Sequence, residues 1–229
     1  MRAIETKNLT KHFDGVYAID RLSVGIPGGK ITAIIGPNGS GKTTLINVLS
    51  GMLPIDDGAV IVSGGITRTF QNIRLFEQMP VLDNILVVLT ERNVFGSVFE
   101  RHGGHHLEKA ERVLRQVGLW EKRDALAVNL SYGQRKLLEI GRALAMDAEI
   151  YLFDEPFAGL FKEMAKIVSG ILNELRDKGK TIILIEHDMG LIRGLSDYVF
   201  VLDSGKLLAE GKPEEVLKKR EVIEAYLGE

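Results

Sequence analysis

The sequence predicts an α/β fold with a mostly parallel sheet, and two observations carry this prediction. Continuous apolar runs rich in β-branched residues occupy residues 31–35, 150–153 and 181–185, as is typical of strands buried on both faces of a sheet. Amphipathic patterns with apolar positions three and four apart alternate with these runs, most clearly along residues 164–175. Strands that alternate with helices in this way favour a parallel sheet.

The N-terminal part of the chain precedes the first buried strand and also has the pattern of strands. Residues 3–9 and 18–26 are predicted strands, and the second of them ends at Pro27-Gly28-Gly29. After the buried run at 31–35 comes a glycine-rich turn, and a short helix is then predicted over residues 43–50. The order is therefore strand, loop and helix.

The middle of the chain, about residues 72–146, is predicted to be a helical insertion into the α/β core. One helix is expected over residues 81–92, with Asp83 as its cap, and a loop is expected around residues 102–106. An apolar stripe from Leu107 to Val117 predicts a second helix, which ends at Gly118. Leu137, Ile140 and Leu144 predict a third.

The last part of the chain returns to alternating strands and helices. Gly179 ends the helix that follows the strand at 150–153, and the strand at 181–185 comes next. The turn Asp203-Ser204-Gly205 predicts a hairpin of residues 198–202 and 206–209. Pro213, followed by two glutamates, is a typical start for a final helix.

Composition excludes several classes of protein. The chain has 229 residues, 45% of them hydrophobic, and no cysteine, which excludes disulfides, thiol catalysis and cysteine-ligated zinc. It carries 29 Lys and Arg against 31 Asp and Glu, so its net charge of −2 does not favour nucleic acid as a partner. Its apolar runs are far shorter than the roughly twenty residues of a spanning helix. We therefore expect a soluble, cytoplasmic protein.

A phosphate-binding loop is predicted between the strand at 31–35 and the following helix. The residues fit the pattern G-x-x-x-x-G-K-[ST] as Gly36-Pro37-Asn38-Gly39-Ser40-Gly41-Lys42-Thr43, and Thr44 continues the predicted ATP-binding set. Glycines let successive backbone N–H groups point at one phosphate, and the helix adds its positive end. We expect Lys42 to reach the β- and γ-phosphates and the hydroxyl of Thr43 to ligate Mg²⁺.

Two carboxylates end a second buried strand. Asp154 and Glu155 follow the run at 150–153, and a carboxylate at such a strand end can hold hydrated Mg²⁺ while its neighbour polarises a water. A strand that ends in an acidic turn without a catalytic role would have the same sequence pattern. Together with the phosphate loop, the pair favours nucleotide hydrolysis.

The segment Leu130-Ser131-Tyr132-Gly133-Gln134 decides between the kinds of nucleotide hydrolase. Ser131 and Gln134 fit a capping box at a helix start. The same segment also resembles the signature motif of ATP-binding cassette (ABC) ATPases, and its tyrosine resembles the branched-chain amino-acid import subfamily. The string TRTFQNIRLFEQMPVLDNIL and the ending GKLLAEGKPEEVL are similar to that subfamily too, so the resemblance covers essentially the whole chain.

The resemblance implies a fold and a set of roles for further residues. The fold is a P-loop NTPase core (residues 1–71 and 147–229) with an N-terminal antiparallel β subdomain and a helical subdomain (residues 72–146). Gln71 is implied to sense the membrane partner and, with Thr43 and Asp154, to hold Mg²⁺. His187 is implied to act as the switch histidine on the γ-phosphate, and Glu155 to act on the attacking water. Phe13 is implied to stack on adenine, although Tyr17 is a competing platform.

The resemblance also implies partners. ATP would lie between two subunits, either two copies or a copy and a paralogue, with Ser131, Gly133 and Gln134 acting in trans on the other subunit's nucleotide. Transmembrane permease subunits would bind the assembly at the inner face of the cell membrane. An extracytoplasmic solute-binding protein would take part indirectly, and nucleic acid would not.

One departure from the family pattern bears on function. Ala158-Gly159-Leu160 is followed by Phe161, where the family usually carries aspartate or asparagine, in a loop that touches the other subunit. This keeps open a nucleotide-binding regulatory protein without turnover. A non-transport ABC ATPase and an ordinary P-loop kinase or GTPase are further alternatives. The three histidines His102, His105 and His106 suggest a metal site, but the glycines between them indicate a loop that does not hold three ligands in place.

Overall fold

A computed structural model describes residues 1–70, 73–89 and 104–227 of the chain. By their contacts these residues form two compact units. The core unit comprises Met1–Arg68, Ala148–Glu155 and Leu172–Glu229, and the helical unit comprises Thr69–Asp147 and Pro156–Ile171.

An antiparallel sheet forms the N-terminal part of the core unit. Its long strand β1 (Arg2–Phe13) pairs with β2 (Val16–Leu22), β3 (Gly25–Pro27) and β5 (Asp57–Val62). The prediction of one strand over residues 18–26 is wrong, because the pairing with β1 is interrupted between β2 and β3. At that break the hydroxyl of Thr6 donates to the carbonyl of Leu22 and accepts from the N–H of Val24, which replaces the regular ladder.

A second sheet carries the remaining strands of the core unit, and its order is β10-β9-β4-β8-β7-β6. The strands are β4 (Ile31–Ile35), β6 (Ile66–Arg68), β7 (Ile150–Asp154), β8 (Thr181–Ile185), β9 (Tyr198–Asp203) and β10 (Lys206–Gly211). All neighbours are parallel except the predicted hairpin β9-β10. The carboxyl ends of β4, β6, β7 and β8 therefore share one edge of the sheet.

Packing on both faces of this sheet explains the continuous apolar runs in the sequence. Ile34 on β4 belongs to a cluster with Ile46 and with the strands of the antiparallel sheet, whereas Ile35 belongs to a second cluster with Ile192 and Val222. Every residue of β4, β7 and β8 is buried, so none of these strands has a polar face.

Helices surround the sheet in the core unit. Helix α1 (Lys42–Leu49) follows β4, and α6 (Met189–Leu195) follows β8. The single final helix predicted from Pro213 is two helices, α7 (Pro213–Val216) and α8 (Arg220–Leu227). Val216 and Val222 both enter the same apolar cluster, whereas residues six apart on one unbroken helix would face different directions. The break lets both valines pack.

The helical unit contains α2 (Val81–Leu89), α3 (Gly104–Gln116) and α4 (Tyr132–Ala145), together with the first part of α5 (Lys162–Asp177). The capping box predicted at Ser131 and Gln134 is confirmed at the start of α4. The loop predicted at residues 102–106 is wrong for His105 and His106, which lie in α3 because the helix that buries Ala110 extends further towards the N-terminus. His102 lies outside the described residues.

The helix predicted over residues 81–92 begins at Val81 as expected, but Asp83 is not its cap. Asp83 lies in the first turn of α2, where its charge suits the positive end of the helix. In the described ranges, no helix is both long enough and apolar enough to span a bilayer.

Candidate functional site

The predicted phosphate loop connects β4 to α1, as the sequence indicated. Lys42 begins α1 and its side chain folds back over the loop, where Nζ donates to the carbonyl oxygens of Gly36 and Pro37, each at 2.8 Å. The hydroxyl of Ser40 lies 3.4 Å from the same nitrogen. The loop therefore holds a buried ammonium group within its own turn, next to the N-terminus of a helix.

The charge on Lys42 is balanced by neighbours across the sheet edge. Burial lowers the pKa of Lys42 from its ordinary value, while the carboxylates of Glu155 and Asp154 act in the opposite direction. An anionic phosphate at this position would further favour the charged form of the lysine. The arrangement is thus suited to bind an anion.

The first residue of the loop must be glycine in this conformation. Gly36 has φ +151°, and a Cβ atom there would collide with the carbonyl oxygen of Leu202 and with the hydroxyl of Ser40. This close approach of the loop to β9 fixes where the chain leaves the sheet. Asn38 and Gly39 are exposed and lie at the tip of the loop.

Asp154 lies at the carboxyl end of β7 and is buried. Its Oδ2 atom is 3.4 Å from Nη2 of Arg68, and both side chains are less than a tenth exposed. Nη1 of the same arginine donates to Oδ1 of Asn47 at 2.6 Å and to the hydroxyl of Ser50 at 3.2 Å. Sequence analysis did not single out Arg68, because the short strand β6 that it ends was not predicted.

Glu155 and His187 are brought together at the ends of the neighbouring strands β7 and β8. Oε1 of Glu155 lies 2.9 Å from Nε2 of His187. Glu155 has φ +51°, an uncommon backbone conformation for a residue other than glycine, and its N–H donates to the carbonyl of Ile185 at 3.0 Å. The strained turn is held by β8, so the carboxylate projects from the same edge as the phosphate loop.

Two exposed aromatic residues flank the turn between β1 and β2. Phe13 ends β1 and is 47% exposed, and Tyr17 on β2 is 55% exposed. The ammonium of Lys11 lies 5.5 Å from the centre of the Phe13 ring, and His12 contacts Tyr17 edge-on. Both rings are accessible for stacking, so the choice between the two predicted adenine platforms stays open.

In the helical unit, the signature residues form the start of α4. The N–H of Gln134 donates to the hydroxyl of Ser131 at 3.3 Å, and the N–H of Ser131 donates to Oε1 of Gln134 at 3.1 Å. Gly133 is buried beside them, while Tyr132 is half exposed. The capping box thus satisfies two backbone N–H groups at the N-terminus of α4. Gln71 lies outside the described residues.

Glu139 on α4 is a buried acidic residue that sequence analysis did not single out. Its Oε1 accepts a hydrogen bond from the N–H of Phe70 at 3.0 Å. Burial raises the pKa of Glu139 to about 7, against the opposing effect of the backbone donors and of Lys136 and Arg142. Its position between Leu138 and Ile140, on a helix predicted to pack in the core, could have indicated that it is buried.

The residues near the phosphate loop fit Mg²⁺ by the chemistry of their donors. Thr43 offers an exposed hydroxyl at the start of α1, and Asp154 offers carboxylate oxygens at the end of β7. Hydroxyl and carboxylate oxygens, completed by phosphate oxygens and water, are the ligands that Mg²⁺ prefers.

Comparison with known proteins decides the family. The profile of the ABC transporter family matches residues 19–158, which include the phosphate loop, the signature segment and the carboxylate pair. The chain belongs to the ABC transporter family. A second profile, that of the branched-chain amino acid ATP-binding cassette transporters, matches residues 206–229.

Curated relatives of this ABC protein span nearly its full length. It is 38% identical over 248 residues to a probable branched-chain amino acid transport ATP-binding protein, LivG, of Archaeoglobus fulgidus, covering 100% of this chain and 96% of the relative. It is 35% identical over 249 residues to the high-affinity branched-chain amino acid transport ATP-binding protein LivG of Escherichia coli. That alignment covers 99% of this chain and 98% of the relative.

Solved structures agree with this family assignment. A nucleotide-free ATP-binding cassette from an ABC transporter has a TM-score of 0.87 and 34% identity, with both chains covered completely. An ATP-binding cassette of an ABC transporter in its ADP conformation has a TM-score of 0.86 and 35% identity, again with complete coverage. The predicted fold class, an ABC-type α/β core with an antiparallel β subdomain and a helical subdomain, is confirmed.

Proposed function

We propose that this ABC protein hydrolyses ATP to ADP and phosphate and thereby powers the import of branched-chain or other amino acids. The observation that carries the proposal is the shared sheet edge, where the Lys42 loop, Asp154 and the Glu155–His187 pair all follow carboxyl ends of parallel strands. This is the place where open α/β sheets bind ligands.

The chemistry follows from these positions. The loop amides and Lys42 bind the β- and γ-phosphates, with Gly36 to Thr44 surrounding them. Glu155 orients a water and takes its proton as the new P–O bond forms and the bond to the ADP oxygen breaks. His187, held at 2.9 Å from Glu155, donates a hydrogen bond to the transferred phosphoryl group.

Thr43 and Asp154 would hold Mg²⁺, and Gln71 joins this set on resemblance alone. When bound, the metal ion neutralises charge on the phosphate oxygens. Arg68 holds one oxygen of Asp154, so the carboxylate is oriented before nucleotide arrives. Phe13 or Tyr17 stacks on the adenine ring.

The assembly we propose contains two ATPase subunits, two copies of this chain or one copy and a paralogue. The Ser131, Gly133 and Gln134 motif of one subunit closes on the ATP of the other, and hydrolysis releases it. Permease subunits receive this motion at the inner face of the cell membrane. An extracytoplasmic solute-binding protein delivers the cargo to the permease on the opposite side, so it takes part only indirectly. The amino-acid cargo rests on the names of the curated relatives.

Steady-state phosphate release by the purified protein tests the enzymatic part. We expect Lys42→Ala to weaken ATP binding and turnover at least about tenfold, and Glu155→Gln to lower turnover about a hundredfold while ATP still binds. Lys166→Ala, which removes an exposed cation on α5, is the matched control. A wild-type protein that binds ATP without releasing phosphate would instead be a regulatory protein.

Uptake of labelled leucine, isoleucine and valine tests the cargo. Source cells that carry Lys42→Ala should lose uptake of these amino acids and retain uptake of unrelated solutes. Unchanged uptake, with ATPase activity intact in the wild type, would exclude this cargo and leave the enzymatic assignment in place.

A further inference from the structure

The C-terminal helix makes a direct hydrogen bond to the phosphate loop. Tyr226 on α8 packs its ring against the apolar cluster that contains Ile35 and Val201. The backbone N–H of Gly36 donates to the Tyr226 hydroxyl oxygen at 2.7 Å. The two residues are 190 positions apart in the sequence, so this contact exists only in the folded chain.

The N–H of Gly36 needs a partner at this point. The parallel ladders of β4 reach Ile34 on the side of β8 and Ile35 on the side of β9, and the chain then turns into the loop. Gly36 is buried, and the approach of Leu202 leaves no room for a side chain at this position. A buried backbone donor without a partner is costly, and the phenol oxygen removes that cost.

The other side of the same residue faces the catalytic machinery. The carbonyl oxygen of Gly36 accepts the hydrogen bond from Nζ of Lys42 at 2.8 Å. Gly36 is therefore held at its N–H by the C-terminal helix and at its C=O by the phosphate-binding lysine. A change in the position of Tyr226 would be transmitted to Lys42 through a single residue.

We propose that Tyr226 is a positioning residue of the nucleotide site: its hydroxyl fixes the first residue of the phosphate loop and so preorganises Lys42 for phosphate. This inference rests on the proposed function of ATP binding. It also gives a role to the C-terminal segment at residues 206–229, which matches a family profile separate from the one that covers the loop.

The chemistry of the group suits this role. Burial raises the pKa of Tyr226, so its hydroxyl stays protonated and neutral over the working range of pH. Phenylalanine would fill the same space in the cluster and leave the Gly36 N–H unpaired. The loop would then populate other conformations, and the observed affinity for nucleotide falls in proportion to the fraction that is competent to bind.

The test compares Tyr226→Phe with wild type and with Tyr198→Phe in the full-length protein. Tyr198 begins β9, and its hydroxyl bonds Glu210, so this control removes a hydroxyl from the same sheet but not from the loop. Titration with Mg·ADP should give a dissociation constant raised about three- to tenfold for Tyr226→Phe and within about twofold of wild type for Tyr198→Phe. For ATP hydrolysis, KM should rise by the same factor while kcat changes little.

Hydrogen exchange of the Gly36 amide provides an independent readout. In ¹⁵N-glycine-labelled wild-type protein without nucleotide, this amide should exchange more slowly than that of Gly39, which is exposed in the same loop. In Tyr226→Phe the protection at Gly36 should be lost.

The outcomes separate the inference from the proposed function. A wild-type protein that does not bind Mg·ADP contradicts the proposed function. A wild type that binds, with Tyr226→Phe binding equally well, contradicts only the role of Tyr226. A lower melting temperature with an unchanged dissociation constant also overturns it, because the hydroxyl would then be merely structural.

Discussion

Gly159, in the loop after Asp154 and Glu155, lies against the ring of Tyr132. Its φ is +72°, and a Cβ atom there would lie 2.8 Å from Cε1 of Tyr132. Lys136, one turn further along α4, donates from Nζ to the carbonyl of Ala158 at 3.3 Å and lies 5.9 Å from the centre of the same ring. At the scale of single residues, Tyr132 and Lys136 of α4 therefore pack directly against the loop at Ala158 and Gly159.

Gly159→Ala should lower the free energy of unfolding by about 1–3 kcal/mol, because of the left-handed backbone and the displaced ring. In a Tyr132→Ala background, Gly159→Ala should lower the free energy of unfolding by less, because only the strain of the left-handed backbone remains. Thermal or denaturant unfolding of the four proteins in this cycle measures the difference.

Gly170→Ala on α5 is the control for the Gly159 cycle, because a Cβ atom there would have no neighbour within 4 Å among the described residues. This substitution should be neutral or stabilising, since alanine favours the helix. If Tyr132→Ala did not reduce the cost of Gly159→Ala, the predicted contact between the ring and the loop would be wrong.

At the scale of elements, Glu139 links α4 by a hydrogen bond to Phe70, the residue before Gln71 in the sequence. Besides the bond from Phe70 to Glu139, Arg142 on α4 donates to the carbonyl of Arg74, and Arg74 lies over the ring of Phe70 at 4.0 Å. Oε2 of Glu139 is buried and has no hydrogen-bond partner among the residues that the structure describes. This link comes at a cost, since the carboxylate must be desolvated.

Because the buried Glu139 carboxylate is costly to ionise, the stability of the folded chain should depend on pH. The raised pKa of about 7 means that Glu139 in the folded chain keeps its proton up to neutral pH, whereas in the unfolded chain it loses the proton near its ordinary pKa of 4.5. From about pH 4.5 to 7 the folded state therefore binds more protons, and this group lowers the stability as pH rises through that window. Above pH 7 the loss in the free energy of unfolding is constant.

Glu139→Gln keeps an oxygen for the N–H of Phe70 and removes the charge. We expect the Glu139→Gln protein to be as stable as wild type at pH 4, below this window. At pH 8 its melting temperature should be higher, with a free energy of unfolding larger by about 1–3 kcal/mol. Glu108→Gln, at an exposed position on α3, should not change the pH profile. A Glu139→Gln protein less stable than wild type at pH 8 would contradict this prediction, and would mean that the carboxylate is kept charged by Lys136 and Arg142.

At the scale of the whole molecule, local sequence signals predicted most of the core and part of the site. The buried runs at β4, β7 and β8 are apolar because both faces of the sheet are covered, so the fold class could be predicted from them. Contacts such as Tyr226 with Gly36 join distant segments and leave no periodicity in the sequence. The break between β2 and β3 was missed for a similar reason, because it depends on Thr6 in another strand.

We expect Phe161 to act in the association of two copies of the chain. This residue is 77% exposed and stands where the family usually has a polar residue in a loop between subunits. A twofold dimer uses each residue twice, and burying a phenylalanine contributes about 1.5–3 kcal/mol. We therefore expect Phe161 to replace the usual polar contact with an apolar one.

Glu155→Gln with ATP should trap the dimer, which makes the contribution of Phe161 measurable by sedimentation or light scattering. Phe161→Ala in that background should raise the dimer dissociation constant at least about tenfold, because two apolar contacts are lost. Leu107→Ala, which removes an exposed apolar side chain from α3, should leave the constant within about twofold. A trapped dimer that is unaffected by Phe161→Ala would show that this loop does not contribute to the interface, so that any coupling between the two sites would have to run through the signature helix instead.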